Sequence, residues 1–328
     1  MLVISEHDVK KFLSMDDVIK AVNQAYQDYS DKLIDVPPRV TMVVREKDDA
    51  AIFLTANYRS VPFYGIKQAS SFPSNKNRGK NTVMSDISLY SADTGELLAM
   101  VSANYLTAMK TGAASAVATN HFAREGAAVL AIIGTGVQAR TQLDAIQRIR
   151  ILSQVRLYDL DQVRAKEFFH FVEEIRNRDY PVVISSSADA CIGGADIVVT
   201  ATTSNKPVFS GNRIQKGTHI NAVGSFTPFM QEIDSLTIAG ADKVVTDNAI
   251  ETWTVAGDLL VPLEQGEITN LKLYGELGDV VAGKIPGRQN DEEITVYESV
   301  GFAALDIAVA VAAYKKLSQL RIGAEVTF

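Results

Sequence analysis

The alternation of apolar and polar positions changes character twice along the chain. After Ser14, apolar residues recur at helical spacing (Val18, Ile19, Val22, Ala25, Tyr26, Tyr29), with Asp16 and Asp17 placed to face the positive end of a helix dipole. Short runs rich in β-branched and aromatic residues then predict strands at 39–44, 51–55, 64–69, 84–90 and 97–101. The last two flank Ala92-Asp93-Thr94-Gly95-Glu96, whose Asp and Gly suit a hairpin loop. Strands in succession without long helices between them imply an antiparallel or mixed sheet.

From about residue 104 the pattern is different. An Ala-rich helical stretch, 106–122, leads into apolar strands alternating with helix-length segments, at 128–133, 154–158, 182–185, 196–201, 219–223 and 243–246. Runs of Val, Ile and Ala without alternation are buried on both faces, as in a parallel sheet covered by helices. Six such strands fit a doubly wound (Rossmann) α/β domain of residues 116–301. The last helical pattern, 301–317, is expected to leave that domain and pack on the N-terminal sheet, so that 1–115 with 302–328 form a discontinuous α+β domain.

Composition narrows the function classes. The 328 residues are 47% hydrophobic and 22% charged, an ordinary globular balance. Against 39 Asp and Glu stand 32 Lys and Arg, a net charge of −7 that argues against sequence-independent binding of nucleic acid. The single cysteine, Cys191, excludes an intrachain disulfide framework, and His7, His121, His170 and His219 lack metal-ligand spacing, so no metal is expected. The first residues lack the basic-then-apolar layout of a signal peptide, and no apolar run approaches the roughly 18 residues of a membrane span. A cytoplasmic enzyme, with no membrane partner, is the expectation.

The strongest local signal is an apolar strand running into Gly134-Thr135-Gly136-Val137-Gln138-Ala139 and then a helical pattern through Leu143, Ile146 and Ile149. In such a loop the first Gly makes the tight turn, the second lets backbone approach a pyrophosphate, and a small third residue packs helix on strand. The anion then lies at the helix N-terminus. Asp159, 20 residues beyond Ala139, stands where an acid takes the adenosine ribose hydroxyls and repels a 2′-phosphate. This favours NAD(H); Arg156 and Arg164 nearby leave NADP(H) open. Asp161 is placed to share the role of Asp159, and Thr111, Thr200, Val223 and Gly224 complete the candidate cofactor set.

A dehydrogenase also needs groups that hold the substrate's anion beside the nicotinamide. Arg39, Lys67 among apolar neighbours of a predicted strand, and Lys110 in the Ala-rich helix are candidates, since a cation in such settings is costly unless an anion meets it. Asp306 lies in an apolar helical run, where an unpaired acid is equally costly, and is taken as a catalytic candidate with Lys67. Phe226 and Trp253 are candidate walls of the pocket, and 75–80 reads as a solvated loop or a closing flap.

Several motifs occur in one order: Leu106-Thr107-x-x-Lys110-Thr111-x-Ala113-Ala114-Ser115, the Gly134 loop, Gly224-x-x-x-Pro228 with Gln231-Glu232-Ile233-Asp234, Gly257-Asp258-Leu259, Gly275-Glu276-Leu277-Gly278-Asp279-Val280, and Ser299-x-Gly301-x-Ala303-x-x-Asp306. On these the chain resembles the ornithine cyclodeaminase/μ-crystallin family nearly end to end. The resemblance implies a homodimer built through the non-nucleotide domain and an active site in the cleft between domains. It also implies carboxylate binding by Arg39, Lys67 and, where relatives carry Arg, Lys110, which keeps the charge but not the bidentate fork.

Members of that family share hydride exchange at a carbon bearing nitrogen and carboxylate, and differ in the steps after it. In the ornithine enzymes an acid two residues before the turn's Pro handles the distal ammonium; here that position is Phe226, which cannot accept a proton. Val255 likewise stands where relatives often carry Glu. The reading is therefore an NAD(P)H-dependent reductase of a small cyclic imino acid, Δ1-pyrroline-2-carboxylate to L-proline as the single best substrate pair, with Lys67 donating a proton or orienting water. Alanine dehydrogenase ranks next and ornithine cyclodeaminase third. A non-catalytic protein storing a small ligand, as in the μ-crystallin branch, is disfavoured by the intact cation set.

Overall fold

Two capping boxes open the chain. Ser5 and Asp8 close the first turn of α1 (Glu6–Phe12), and Ser14 and Asp17 do the same for α2 (Met15–Ser30), each serine side chain accepting from the acid's backbone N–H while the acid accepts from the serine's. The apolar stripe of α2 is buried at Val18, Val22, Ala25 and Tyr26. The short α1 has too few turns for a periodic signal, so only its cap marks it in the sequence. The computed structural model describes residues 1–45 and 49–327.

Strands β1 (Leu2–Ile4), β2 (Ile34–Asp35), β3 (Val40–Val43), β4 (Ala50–Tyr58), β5 (Phe63–Ser71), β6 (Val83–Ser91) and β7 (Leu97–Ser102) build the first sheet with the short strand Ala324–Glu325. Its order is Ala324–Glu325, β1, β7, β6, β5, β4, β2, with β3 also on β4. β1 and β7 run parallel and the others antiparallel, a mixed sheet. The C-terminal helix Ala303–Gln319 packs on α2 and on β4, β5 and β6. Gly65 lets it come close, because a Cβ there would stand 2.8 Å from Ile307 Cδ1 and 3.0 Å from the Ser88 carbonyl oxygen. The phenol of Tyr58 donates to the Ala304 carbonyl at 2.6 Å, fixing the first turn of that helix.

Helix α3 (Asn104–Phe122) leads to the second sheet: β8 (Val129–Ile133), β9 (Gln154–Tyr158), β10 (Val182–Ile184), β11 (Ile197–Thr200), β12 (His219–Ala222), β13 (Lys243–Thr246), β14 (Leu273–Glu276) and β15 (Thr295–Glu298). These strands are all parallel, in the order β10-β9-β8-β11-β12-β15-β13-β14, whose first six places are the doubly wound arrangement. Both faces carry core: Ala131, Ile133, Val198 and Ile220 belong to one cluster, and Leu130, Ile132, Val155 and Val199 to the other. Helix α4 (Val137–Ile149) contributes Leu143 and Ile146, and α5 (Gln162–Ile175) contributes Phe168 and Val172, to the second cluster. The strand expectation needs correcting at the far edge. The sixth core strand is β15, and the segment read as sixth, 243–246, lies outside it beside β14. β15 begins at Thr and ends at Glu, and β14 contains Gly275, so neither makes a Val/Ile run.

The chain divides into Met1–Lys110 with Phe302–Phe328, and Thr111–Gly301. The division falls at 110/111, five residues before the expected 115/116; both positions lie inside α3, whose unbroken helix leaves no mark in the chain's texture. Among the described residues no helix is long and apolar enough to cross a membrane.

Within the second unit α3 and α4 meet at a glycine. A Cβ on Gly112 would overlap the carbonyl oxygen of Thr141 and lie 2.6 Å from its carbonyl carbon, and Gln142 Nε2 donates to the Thr111 carbonyl at 3.2 Å beside it. Gly to Ala inside a helix ordinarily stabilises by about 1 kcal/mol. Gly112→Ala is expected to destabilise by about 1–3 kcal/mol through overpacking against rigid backbone. Chemical denaturation checks it; a more stable variant would contradict the close approach.

Candidate active site

In the first unit the sheet and the returning helix bring three charged groups together. Lys67 is buried on β5, in register with Leu54 of β4 on one side and Ile87 of β6 on the other. Its Nζ lies 2.9 Å from Asp306 Oδ1, and Lys110 Nζ lies 3.6 Å from the same oxygen. The three side chains are 7%, 3% and 1% exposed for Lys67, Lys110 and Asp306. Arg39, just before β3, adds positive charge that Lys67 feels as repulsion. The other oxygen of Asp306, Oδ2, is buried without a hydrogen-bond partner.

The electrostatics follow from this arrangement. Burial lowers the pKa of Lys67; Asp306 opposes the shift, and Lys110 and Arg39 add to it. For Asp306 burial acts upward, but Lys110 and Lys67 outweigh it and hold the carboxyl below its ordinary value. One carboxylate among Lys67, Lys110 and Arg39 leaves positive charge in excess in a site nearly closed to water. An anion is the natural complement.

The second unit carries the nucleotide loop. Gly134 has φ +87°, and a Cβ on it would stand 2.6 Å from the Ala201 carbonyl oxygen, so the turn requires glycine. Around Gly136 the space is open, and the N-terminus of α4 has no side-chain cap, so the amides from Val137 onward face an uncrowded position. Ala139 is fully buried and Val137 is exposed. At the end of β9, Asp159 Oδ2 accepts from the Thr135 N–H at 2.8 Å and its hydroxyl at 2.9 Å, while Oδ1 accepts the Asp161 N–H at 2.9 Å. Asp161 itself caps α5 and pairs with Arg164 at 3.4 Å. Arg156 turns to Gln154 and the Gly193 carbonyl.

Thr200, Val223 and Gly224 stand at or just beyond the ends of β11 and β12, and Thr111 lies in α3. Phe226, 46% exposed, belongs to this unit, in the turn after Gly224. Sequence reasoning assigned no role to Glu232 and Asp258, which are fully buried here and bind the backbone of this edge. The available signal was an acid with an apolar residue directly after it, in Gln231-Glu232-Ile233 and in Gly257-Asp258-Leu259. The remaining candidates have the following surroundings. Burial pushes His219 down to about 3, between Thr295 Oγ1 at 2.9 Å and Asn221 Oδ1 at 3.3 Å, and pushes the Cys191 thiol up to about 11. Trp253 packs against a core cluster, and 73–78 form a 3₁₀ turn. Among the described residues no group of His, Cys, Asp or Glu is arranged to hold a metal.

The model of the ornithine cyclodeaminase/mu-crystallin family matches residues 1–320. A Δ1-pyrroline-2-carboxylate reductase of Bacillus cereus (strain ZK / E33L) is 38% identical over 328 residues, 100% of both chains. The solved structure of the Thermococcus litoralis Δ1-pyrroline-2-carboxylate reductase with NADH and L-proline aligns with a TM-score of 0.95 at 34% identity, covering 99% of this chain and 100% of that one. An archaeal alanine dehydrogenase dimer with bound NAD aligns at 0.93 and 32% identity, covering 100% and 99%.

The charge cluster predicts a pH profile. Lys67 attracts a carboxylate only while protonated, and its pKa is lowered, so affinity for an anionic ligand falls as pH rises, earlier than for an ordinary lysine. Asp306→Asn removes the group that holds the proton on Lys67, so the alkaline limb of kcat/KM moves to still lower pH. An unchanged alkaline limb in the variant would show that another group titrates.

Proposed function

The chain belongs to the ornithine cyclodeaminase/mu-crystallin family, and we propose that it is an NADH-dependent reductase converting Δ1-pyrroline-2-carboxylate to L-proline. The observation that carries this reading is the buried Lys67–Asp306–Lys110 group, whose excess positive charge calls for a small carboxylate. The reductase and dehydrogenase relatives support the chemistry. Phe226 weighs against ornithine cyclodeamination, since a phenyl ring neither pairs with the distal ammonium nor takes its proton.

When bound, NADH supplies a hydride to the imine carbon. Lys67 and Lys110, with Arg39, hold the substrate carboxylate and so fix the plane of the C=N bond. Asp306 keeps Lys67 protonated and turned to the site, which makes Lys67 the proton donor or the orienter of a donating water. One hydride and one proton convert the cyclic imine to the secondary amine. Gly134, Thr135, Gly136, Val137, Gln138 and Ala139 suit the pyrophosphate, and Asp159 the adenosine ribose. Its carboxylate repels a 2′-phosphate, Arg156 is turned to Gln154 and the Gly193 carbonyl, and Arg164 is paired with Asp161, which favours NADH over NADPH. Asp161 serves its helix cap and supports the same acidic corner. By analogy with the archaeal dehydrogenase dimer, the protein acts as a homodimer.

Purified protein with NADH is expected to reduce Δ1-pyrroline-2-carboxylate faster than pyruvate with ammonia, and with NAD⁺ to release no appreciable ammonia from L-ornithine. Asp159→Ser should narrow the gap in Michaelis constant between NADH and NADPH. Steady formation of proline and ammonia from ornithine would overturn the reductase reading, and a wild-type preference for NADPH would overturn the role of Asp159.

A further inference from the structure

We propose that Glu232 and Asp258 form a two-carboxylate clamp that positions the nicotinamide half of the cofactor by fixing the turns after β11 and β12. The inference rests on the proposed binding of NADH to this unit. A doubly wound sheet binds one mononucleotide on each half, across the point where strand order reverses. With the adenosine beside Asp159 at the end of β9, the nicotinamide half falls to β11 and β12, on the other side of β8.

Glu232 is fully buried and makes three hydrogen bonds at this edge, all as acceptor. Oε1 takes the Thr202 N–H at 2.5 Å; Oε2 takes the Thr200 hydroxyl at 2.9 Å and the Gly224 N–H at 2.8 Å. One side chain thus ties the last residue of β11, the turn beyond it and the turn after β12. Gly224 is needed for the approach, since a Cβ there would lie 2.5 Å from the Glu232 carboxyl.

The clamp is itself held. The backbone N–H groups of Glu232 and Ile233 both donate to Asp258 Oδ1, at 2.7 and 2.8 Å. Gly257 permits this, because any Cβ on it would overlap the Met230 carbonyl oxygen. The clamped turn also backs the phosphate loop, where a Cβ on Gly134 would stand 2.7 Å from Thr202 Cγ2. A displacement of Thr202 therefore reaches Gly134 directly. With three donors aimed at it, the group must be a carboxylate; an amide would set N–H against N–H or O–H.

Burial raises the pKa of Glu232, and hydrogen bonds from Thr202, Thr200 and Gly224 oppose the shift. Burial, then Glu232, pushes Asp258 up to about 8, so the second member tends to hold a proton beside the first.

The test is NADH affinity, read by fluorescence titration of the full-length protein, with a thermal melt on each variant. Thr200→Val keeps the shape and removes one donor, and should weaken NADH by roughly fivefold; Thr200→Ser keeps the donor and should recover most of that loss. Glu232→Gln should weaken NADH by roughly tenfold or more, with the imine's Michaelis constant at saturating NADH within about twofold of wild type. If Glu232→Gln does not fold, the Thr200 pair decides alone. Wild-type affinity in Thr200→Val, or equal losses in Val and Ser, would overturn the clamp. Failure of the wild-type protein to bind NADH would overturn the cofactor reading, and the clamp with it.

Discussion

One carboxylate oxygen shared by two buried ammonium groups cannot neutralise both. Asp306 Oδ1 is 2.9 Å from Lys67 and 3.6 Å from Lys110, with Arg39 adding further positive charge. Taking such ions from water costs several kcal/mol each even after relaxation. Asp306 offsets part of that cost, and in the proposed function the substrate carboxylate offsets more. Much of the first unit serves this one contact. Strand β5 carries Lys67, α3 ends its part in the unit at Lys110, and the chain returns after the whole second unit to supply Asp306. Gly65 and Tyr58 seat the helix that carries it.

The second unit meets a different constraint. A parallel sheet covered on both faces leaves only its carboxyl edge for a ligand, and backbone polar groups there need partners. At this edge the partners are acids. Asp159 binds the Gly134 loop, Glu232 binds the turns of β11 and β12, and Asp258 binds the segment that carries Glu232. Side-chain carboxylates thereby fix loop geometry with less chain than an added element would need. Glu298, at the end of β15, is buried with neither oxygen hydrogen-bonded, and burial pushes its pKa well above the ordinary value with Asp258, Glu232 and Asp247 adding to the shift.

How much was legible in the chain depended on whether the cause was local. The cap of α2, the loop at Gly134 and the buried runs of β8 and β11 are local, and the sequence pattern placed them. β15 was missed because a central strand of Thr, Val, Tyr and Glu has no hydrophobic signature of its own; its burial comes from neighbours. The domain break was expected at 115/116 rather than at 110/111, because α3 continues unbroken through both. Lys67, Lys110 and Asp306 each stood out as a charge in an apolar setting, but 239 residues separate Lys67 from Asp306, and only the fold pairs them. Glu232 and Asp258 carried only a weak signal, an acid directly followed by an apolar residue, and an acid beside a turn usually faces water.

The central claim is that the buried lysines exist to hold a carboxylate. Titration of L-proline into the NAD⁺-saturated protein, wild type against Lys67→Met, tests it most directly. Met keeps the apolar stem and removes the charge, so proline affinity should fall by roughly 100-fold, on the order of 3 kcal/mol, while NAD⁺ affinity and the melting transition stay near wild type. Equal proline affinity in a folded, NAD⁺-binding Lys67→Met would contradict the account.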